Sequence, residues 1–417
     1  MASNFTPSDA ADENISGLTS ELAVQKYLES TPFSSQQVIR LRGGTTNYTF
    51  RLHLRTPYGE GSPRKTAILK YATPFVASAP LVPFSVDRQR YEARALTELP
   101  KSTLLSGGRA ANLHGAKVRL PGIYLEDVEN NVLIIEDVAP PADVEPKRIT
   151  CTLLIFLTGR SSVLIQIPNP VQIAEQACVL LGDFLAQLHC WGKAEQNIHL
   201  VKYLFRDNTP ARETCVRTTF RDFLPTVEGR GISLTTDDRD DVLFEMEELE
   251  REVFHNPETL TMGDFWRVYS ELTCALRYKA DRLKRPGNII IDFRLDGSLC
   301  ALYIIDWEFA SSAPAFTDVG HFCAEIFIDV FSAAEDEVPQ RLLTAFLGNY
   351  IKSVDSVNIP GVVAYTGAHL GSFVGKGSWG DPAKRKTISL QAIDMIKNAR
   401  NKEWKSLQGG ALARLFQ

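Results

Sequence analysis

The pattern of apolar and polar positions predicts a small β-sheet in the first third of the chain. The predicted segments are a strand–turn–strand unit at 38–54 and strands at 65–72, 118–124 and 131–138. Short runs rich in β-branched and aromatic residues, bounded by Gly, Pro and Asn, are typical of strands. A helix at 86–99 crosses between the third and fourth strands, and a shorter amphipathic helix at 19–30 precedes the sheet, with Thr19 or Ser20 as its N-cap.

The rest of the chain is mainly helical in pattern. Apolar residues recur every three to four positions in the segments 171–191, 216–224, 238–254, 322–333, 339–354 and 388–398. The two patterns together predict an α+β protein with a disordered arm at 1–18, a sheet-containing domain at 19–138 and a helical domain at 139–417.

One hairpin interrupts the helical part, between Asn288 and Glu308. Asp296-Gly297 separates two apolar strands, and Asp-Gly is a strong hairpin signal because Gly adopts positive φ at little cost. Positions 288 and 306 each lie nine residues from Gly297, so pairing sets Asn288 opposite Asp306 to within about one residue. In an extended chain Glu308 points to the same face as Asp306. These oxygen ligands suit Mg²⁺ that carries phosphate; the alternative is an ordinary solvated hairpin end.

Two further features of the first domain are compatible with phosphate binding. Gly43 and Gly44 form a bend followed by Asn47, where backbone N–H groups can approach phosphate oxygens; the alternative is a plain hairpin turn. Lys70 ends the third strand, where a lysine is usually a solvated surface residue. A carboxylate such as Glu92, on the following helix, would fix its ammonium group to hold phosphates.

Composition and charge place the chain among ordinary globular proteins. It has 417 residues, of which 44% are hydrophobic, and a net charge of -5. This charge gives no general attraction to nucleic acid or to an anionic membrane. The seven cysteines are dispersed, without a CxxC pair or zinc-ligand spacing, which is typical of a reducing compartment such as the cytoplasm. The most apolar window, 151–167, is too short and interrupted for a membrane span.

Taken in order, the motifs resemble those of the protein-kinase-like small-molecule phosphotransferases, which include aminoglycoside phosphotransferases, choline kinases and methylthioribose kinases. The resemblance runs from about residue 20 to about residue 380. Its most specific pieces are Met-Gly-Asp-Phe-Trp at 262–266 and Ile-Asp-Trp-Glu at 305–308. It implies a bilobal protein-kinase-like fold, with a small antiparallel five-stranded N-lobe and a larger, mainly helical C-lobe.

The resemblance also implies roles for individual residues. Gly43, Gly44 and Asn47 would lie over the ATP phosphates, Lys70 paired with Glu92 would hold them, and Glu136 to Val138 would face the adenine. Asp264 would be the catalytic carboxylate, Asn288 and Asp306 would complete the catalytic set and bind Mg²⁺, and Glu308 would assist as a metal ligand. Asp318 would brace the catalytic loop. Phosphoryl transfer needs mainly positioning and charge neutralisation, which these residue types supply.

The chain departs from the family pattern in two places. Met262 stands where the family usually has His before Gly-Asp. Asp264 and Asn288 are 24 positions apart, whereas the family spacing is five, and removing residues 267–285 would restore it. One hypothesis is that this segment, and a second one at 144–170, are translated introns; the other is that they are genuine insertions.

The leading functional prediction is an ATP- and Mg²⁺-dependent kinase for a hydroxyl of a small molecule, monomeric or homodimeric, with no nucleic-acid or membrane partner. The alternative is a catalytically impaired pseudokinase that binds nucleotide, disabled by the 267–285 insert. A protein kinase ranks third, because Asp-Trp-Glu replaces Asp-Phe-Gly and no Ala-Pro-Glu segment follows.

Overall fold

The computed structural model divides the chain into two compact units. Unit 1 comprises Met1–Val86 and Ile123–Asp137, and unit 2 comprises Asp87–Gly122 and Val138–Gln417. The structure describes residues 17–41, 46–59, 61, 63–106, 112–113, 115–141, 149–152, 169–264, 287–294, 296–332, 337–373, 382–408 and 410–417. The predicted arm at 1–18 lies almost wholly outside these residues, and the domain boundaries stay a prediction.

The described elements alternate between strands and helices in the first third and are mainly helical afterwards. The helices are α1 (Glu21–Leu28), α2 (Arg88–Lys101), α3 (Thr103–Ser106), α4 (Pro170–Lys193), α5 (Glu195–Phe205), α6 (Thr209–Val216), α7 (Phe223–Glu228), α8 (Thr236–His255), α9 (Phe316–Ser332), α10 (Val338–Ser353), α11 (Ile359–Phe373) and α12 (Pro382–Asn401). The strands are β1 (Ser35–Leu41), β2 (Tyr48–Tyr58), β3 (Arg64–Tyr71), β4 (Phe75–Val76), β5 (Ala79–Pro83), β6 (Asn112–Leu113), β7 (Ala116–Arg119), β8 (Ile123–Asp127), β9 (Val132–Glu136), β10 (Ile149–Thr152), β11 (Thr259–Thr261), β12 (Ile289–Phe293), β13 (Leu299–Ile304) and β14 (Ser311–Ala313).

Unit 1 is built on an antiparallel sheet with the strand order β1-β2-β3-β9-β8. Within the described residues this sheet has five strands, which confirms the predicted small antiparallel sheet. Alternate residues of β2 point inward, so Phe50 and Leu52 are fully buried and pack with Leu69 of β3 and Ile134 of β9. The period-2 pattern of the sequence thus places one face of the sheet on a hydrophobic core.

Helix α1 closes this core as the sequence predicts. Its N-cap is Ser20, whose hydroxyl accepts a hydrogen bond from the backbone N–H of Ala23 (3.2 Å). Val24 and Leu28 lie one turn apart on one face of the helix and are fully buried among the sheet residues. Tyr27 donates a hydrogen bond to Asp127 at the end of β8 (2.6 Å), which fastens the helix to the edge strand.

The strand predicted at 118–124 is wrong, because the structure divides this segment between the two units. Residues up to Arg119 form β7, which pairs in parallel with β13 in unit 2. The chain resumes strand geometry only at Ile123, where β8 forms the edge of the unit 1 sheet. Pro121 and Gly122 lie between the two strands. Proline lacks a backbone N–H and therefore ends the hydrogen-bonded ladder there.

Unit 2 combines helices with a second sheet of order β10-β12-β13-β7-β6. The helix predicted at 171–191 is α4, whose inward face includes Leu181, Leu185 and Leu188. Its Gly182 lies directly against the backbone carbonyl of Phe346 on α10, so any side chain there would prevent the close packing of the two helices.

The predicted α+β class is confirmed, because unit 1 contains the small antiparallel sheet and the described residues of unit 2 are mainly helical. Among the described helices, none combines the length and the apolar character required to cross a membrane.

Candidate functional site

The hairpin at the centre of the predicted site has the register that the sequence indicates. Ile289 of β12 pairs with Ile304 of β13, and the backbone N–H of Ile305 donates to the carbonyl of Asn288 (3.0 Å). Asn288 therefore lies opposite Ile305, one residue from the predicted partner Asp306. At the other end, Gly297 adopts φ +83°, as the Asp-Gly turn requires.

Asp264 and Asn288 are in contact, although 24 positions separate them in the sequence. The side-chain Nδ2 of Asn288 donates a hydrogen bond to the backbone carbonyl of Asp264 (2.9 Å). Both residues are buried, with exposed fractions of 6% and 5%. Residues 265–286, which include the segment 267–285, lie outside the described residues. The two predicted catalytic residues at its ends are nevertheless brought together.

A buried carboxylate holds the loop that carries Asp264. Asp318, in the first turn of α9, accepts hydrogen bonds from the backbone N–H groups of Met262 and Gly263, both at 2.8 Å. His189 of α4 places its Nε2 3.3 Å from the same carboxylate and its Nδ1 2.8 Å from the Tyr350 hydroxyl. Asp318 is fully buried, so these donors compensate the loss of its hydration.

Gly263 is required by the shape of this loop. Its φ is +76°, a conformation that residues with a side chain rarely adopt. A Cβ atom at this position would also lie 2.7 Å from the backbone carbonyl of Phe309. The loop before Asp264 thus packs tightly against the segment that follows Asp306.

A cysteine thiol lies against the same loop but supplies no nucleophile. Cys215 of α6 donates a weak hydrogen bond from its Sγ to the carbonyl of Gly263 (3.9 Å). Burial, with smaller contributions from Asp264 and Asp318, raises the pKa of this thiol to about 12. It is therefore neutral at physiological pH.

The segment from Asp306 to Glu308 is not extended, in contrast to the expectation from the sequence. Asp306 adopts a left-handed conformation (φ +67°, ψ +61°), and residues Trp307–Phe309 form one turn of 3₁₀-helix. Trp307 is fully buried and donates from its indole nitrogen to the carbonyl of Ile304 (3.1 Å). Asp306 and Glu308 therefore do not share a face in the way that a strand would impose. A strained conformation at a half-buried Asp is a frequent feature of functional sites.

Glu308 forms a buried ion pair that the sequence analysis missed. The guanidinium Nε of Arg88, at the start of α2, lies 3.3 Å from a Glu308 carboxylate oxygen, and each side chain is 1% exposed. Asn208 adds two hydrogen bonds, from its Nδ2 to the carbonyls of Glu308 (3.0 Å) and Ala310 (2.9 Å). The Asp306–Ala310 turn is thus held through both its side chain and its backbone.

The charge of Arg88 acts on more than one carboxylate. Burial lowers the pKa of its guanidinium, whereas Glu308, Asp306 and Glu92 act in the opposite direction. Arginine is effectively always protonated in proteins. Arg88 therefore places a permanent positive charge near the predicted metal ligand Asp306. Glu92, one turn further along α2, is fully buried.

The nucleotide-binding residues predicted for the first domain lie in unit 1, except Glu92 and Val138. Gly43 and Gly44 fall outside the described residues. Asn47 and Lys70 are both buried, and Lys70 lies in the centre of the sheet, between Thr49 of β2 and Leu133 of β9. It is therefore not the solvated surface lysine of the alternative interpretation.

The end of β9 carries two ion pairs within unit 1. Glu136 binds Arg64 (3.0 Å) and Asp137 binds Arg51 (2.8 Å). The side chains of Glu136 and Asp137 therefore form ion pairs with arginines on strands β3 and β2 of the sheet. Val138 is the first residue of the second segment of unit 2, and it packs in a cluster with Ile290, Ala301 and Tyr303.

The residues at the open end of the hairpin fit a magnesium ion. The amide nitrogen of Asn288 is fixed by its bond to Asp264, so its oxygen is the atom left to act as a ligand. The Asp306 carboxylate is partly accessible at the adjacent strand end. Hard oxygen donors of this kind are the usual ligands of Mg²⁺. The Glu308 carboxylate is the weaker candidate, because it already pairs with Arg88.

Comparison with known proteins finds kinases that act on small molecules, while no family model matches the chain. A 4-hydroxytryptamine kinase of Psilocybe cyanescens is 27% identical over 386 residues, which are 92% of each chain. The 4-hydroxytryptamine kinase of Psilocybe cubensis is 27% identical over 87% of each chain. Phosphotransferase FrzJ of a Cladobotryum species is 24% identical over 178 residues, 42% of each chain.

Solved structures with low similarity include an ethanolamine kinase of Plasmodium vivax, with a TM-score of 0.40 and 12% identity over 86% of this chain and 81% of that one. A choline kinase of Cryptosporidium parvum has a TM-score of 0.38 and 12% identity, over 90% and 93%. Because these TM-scores are low, the comparison rests on the sequence relatives. The relatives, two of them 27% identical over 87% or more of each chain, are named as kinases of a small molecule, in agreement with the resemblance that the motifs predict.

Proposed function

We propose that the protein transfers the terminal phosphoryl group of ATP to a hydroxyl of a small molecule, with Mg²⁺ as cofactor. The observation that carries this proposal is the contact between Asp264 and Asn288 on a loop held by Asp318. These residues come from distant parts of the sequence and converge beside the strand end that leads into Asp306. Phosphoryl transfer depends mainly on such positioning.

In this proposal Asp264 is the catalytic carboxylate. One of its carboxylate oxygens accepts the proton of the acceptor hydroxyl, while the hydroxyl oxygen attacks the terminal phosphorus of ATP and ADP leaves. The backbone bonds from Met262 and Gly263 to Asp318 fix the position of Asp264, and the Asn288 amide fixes its carbonyl. Holding a base within reach of its proton contributes about 10²- to 10⁴-fold to the rate.

The Asn288 amide oxygen and the Asp306 carboxylate are the proposed ligands of the magnesium ion, and Glu308 stays a predicted third ligand. A magnesium ion held by these residues would supply positive charge that neutralises the negative charge developing during transfer. The fixed Asn288 amide and the strained backbone of Asp306 keep both oxygens at the strand ends. Arg88 supports the turn through Glu308 and keeps positive charge close to it.

Unit 1 would supply the nucleotide phosphates with a cation and backbone donors. Lys70 is the proposed cation, and its place within the sheet gives it little freedom to move. Gly43, Gly44 and Asn47 are the proposed phosphate-loop residues, and Glu136 to Val138 the proposed adenine-facing segment. The pairing of Lys70 with Glu92 stays a prediction.

The acceptor that we propose to test first is a hydroxylated aryl-alkylamine. The two relatives that match 87% or more of the chain are both named 4-hydroxytryptamine kinase. At 27% identity a family often keeps its chemistry and changes its acceptor. The same assay therefore includes ethanolamine, choline, an aminoglycoside and a panel of phenols.

The test measures phosphorylated product by mass spectrometry with purified protein, ATP and Mg²⁺. Asp264→Asn and Asp306→Ala are expected to lose at least about 100-fold in kcat on the best acceptor, because each removes an oxygen with a specific role. The matched control is Asp296→Asn, which changes an exposed carboxylate at the far end of the same hairpin. It is expected to keep its activity.

Two results would contradict the proposal. The first is stabilisation by ATP and Mg²⁺ without turnover on any acceptor, which would indicate a nucleotide-binding pseudokinase. The second is a product whose rate is the same in Asp264→Asn as in the unchanged protein.

A further inference from the structure

A second group of potential metal ligands lies in the interior of unit 2. His321 and Glu325 are four residues apart on α9 and therefore lie on one face of the helix. His369 reaches them from α11. One nitrogen or oxygen atom from each residue lies within 4.8 Å of the other two. The three side chains, which we call the His-Glu-His cluster, are exposed by only 2%, 7% and 1%.

The geometry of this cluster is compact. The Nε2 atom of His369 is 3.0 Å from a carboxylate oxygen of Glu325, and the rings of His321 and His369 have centroids 4.2 Å apart. Two ligands bound to one ion at about 2.1 Å lie roughly 3.0 to 3.5 Å apart. One pair already has this separation, and the third ligand atom lies within 4.8 Å of both.

The charges of the cluster favour a bound cation. Glu325 contributes the carboxylate of the cluster, and this carboxylate lies 3.0 Å from His369 in the buried interior of unit 2. A buried carboxylate is costly unless a positive charge compensates it.

We propose that His321, Glu325 and His369 bind one Zn²⁺ ion, with a water molecule as its fourth ligand. Two imidazole nitrogens and one carboxylate oxygen are a known set of three protein ligands for Zn²⁺, and imidazole is a poor ligand for the harder Mg²⁺. The ion would link α9 to α11. Asp318, which holds the catalytic loop, lies one turn before His321 on α9. The proposed site therefore supports the part of the helix that positions Asp264.

The test measures zinc directly and does not depend on kinase activity. The full chain is purified without chelator, dialysed against Zn²⁺ and then against metal-free buffer, and analysed by inductively coupled plasma mass spectrometry. About one zinc ion per chain is expected. Co²⁺ in place of Zn²⁺ should give visible d–d absorption bands that report nitrogen and oxygen ligands.

Three variants identify the site. Glu325→Gln keeps the shape of the side chain and should reduce zinc affinity at least 10-fold, as should His369→Ala. His199→Ala removes an exposed histidine and should keep the ion. Asp306→Ala should also keep it, which separates this site from the proposed magnesium site.

The proposal is overturned if the unchanged protein retains no zinc and gains no thermal stability from Zn²⁺. It is equally overturned if Glu325→Gln and His369→Ala retain as much zinc as the unchanged protein, because the metal is then an adventitious ion only. Should His369→Ala fail to fold, Glu325→Gln and the Co²⁺ spectrum of the unchanged protein still decide the question.

Discussion

Arg88 is the residue whose role was hardest to foresee. An arginine in the first turn of an amphipathic helix is usually solvated, and its partner Glu308 is 220 positions away in the sequence. The sequence contained no specific signal for this pair beyond the position of Glu308 next to an aromatic residue, Trp307. Sequence periodicity indicates which face of an element is apolar. It does not indicate which two distant charged residues form a buried ion pair.

We expect Arg88→Met to lower the free energy of unfolding by about 3 kcal/mol, because it leaves the Glu308 carboxylate buried without its cation. The double variant Arg88→Met/Glu308→Gln should regain part of this loss, since the uncompensated charge is then removed. Urea unfolding followed by tryptophan fluorescence measures both values.

The control for this experiment is on the same helix. Arg90 pairs with Asp87, and both side chains are 52% exposed. Because water screens an exposed pair, Arg90→Met should change the unfolding free energy by roughly 0.5 kcal/mol or less. Equal effects of the two methionine variants would show that the Arg88–Glu308 pair does not stabilise the protein.

Gly263 permits a second comparison at the residue scale. Gly263→Ala combines a positive φ with a Cβ atom 2.7 Å from a backbone carbonyl, whereas Gly231→Ala has the same sign of φ (+71°) and open space. We expect Gly231→Ala to cost about 1 kcal/mol from backbone strain alone. Gly263→Ala should cost clearly more and should also lower kcat, because the displaced backbone carries Asp264. Thermal unfolding measures the stability and single-turnover kinetics measure kcat. Equal losses of stability in the two variants would show that the Cβ contact at Gly263 adds no cost.

At the scale of elements, the sequence predicted best where a local rule decides the structure. The hairpin register follows from Asp296-Gly297 and was correct to within one residue. The N-cap of α1 follows from Ser20. The strand at 118–124 was wrong because its first half pairs with β13, and the pattern does not show to which of two sheets a short strand belongs.

Helix α11 illustrates a different limit. Its residues from Gly361 to Ser372 are all buried, so it has no polar face to generate a helical period. The segments predicted as helices, 339–354 and 388–398, accordingly lie on either side of α11 and do not include it. A helix that is apolar on all sides is recognised only when the elements that surround it are known.

Asp318 links α9 to the loop before Asp264 and to His189 of α4, so substituting it should weaken both links. An amide has one oxygen, so Asp318→Asn presents an NH₂ group to one of the three donors from Met262, Gly263 and His189. We expect a loss of about 2 to 4 kcal/mol in unfolding free energy and a decrease in kcat. The KM for ATP should change little, because the loop carries the proposed proton acceptor, Asp264, rather than the proposed nucleotide ligands. A changed KM with an unchanged kcat would contradict the bracing role.

At the scale of the whole molecule, the unusual spacing between Asp264 and Asn288 becomes testable. The two residues are in contact with 24 positions between them, as they would be with the family spacing of five. The segment 267–285 therefore does not hold Asp264 and Asn288 apart. This is compatible with a translated intron and also with a tolerated insertion, but it disfavours the idea that the segment disables the site by separating its ends.

We expect the chain that lacks 267–285 to fold and to be more stable than the full chain. Closing a loop of five rather than 24 positions saves about 1.4 kcal/mol of chain entropy, from the logarithmic dependence of closure entropy on length. It should also phosphorylate the same acceptor with an equal or higher kcat, since Asp264, Asn288 and Asp306 are retained. Urea unfolding and the product assay applied to both chains measure these differences.

A shortened chain that is unfolded, or folded and inactive while the full chain is active, would show that 267–285 is part of the functional protein. Peptides from within the segment, found by mass spectrometry in protein isolated from its native source, would exclude the intron hypothesis on independent grounds. If the shortened chain is active and the native protein lacks these peptides, the family spacing of five is the natural one. The hydrogen bond from Asn288 to the carbonyl of Asp264 then closes a short loop, and the few residues within this loop are enough to determine its geometry.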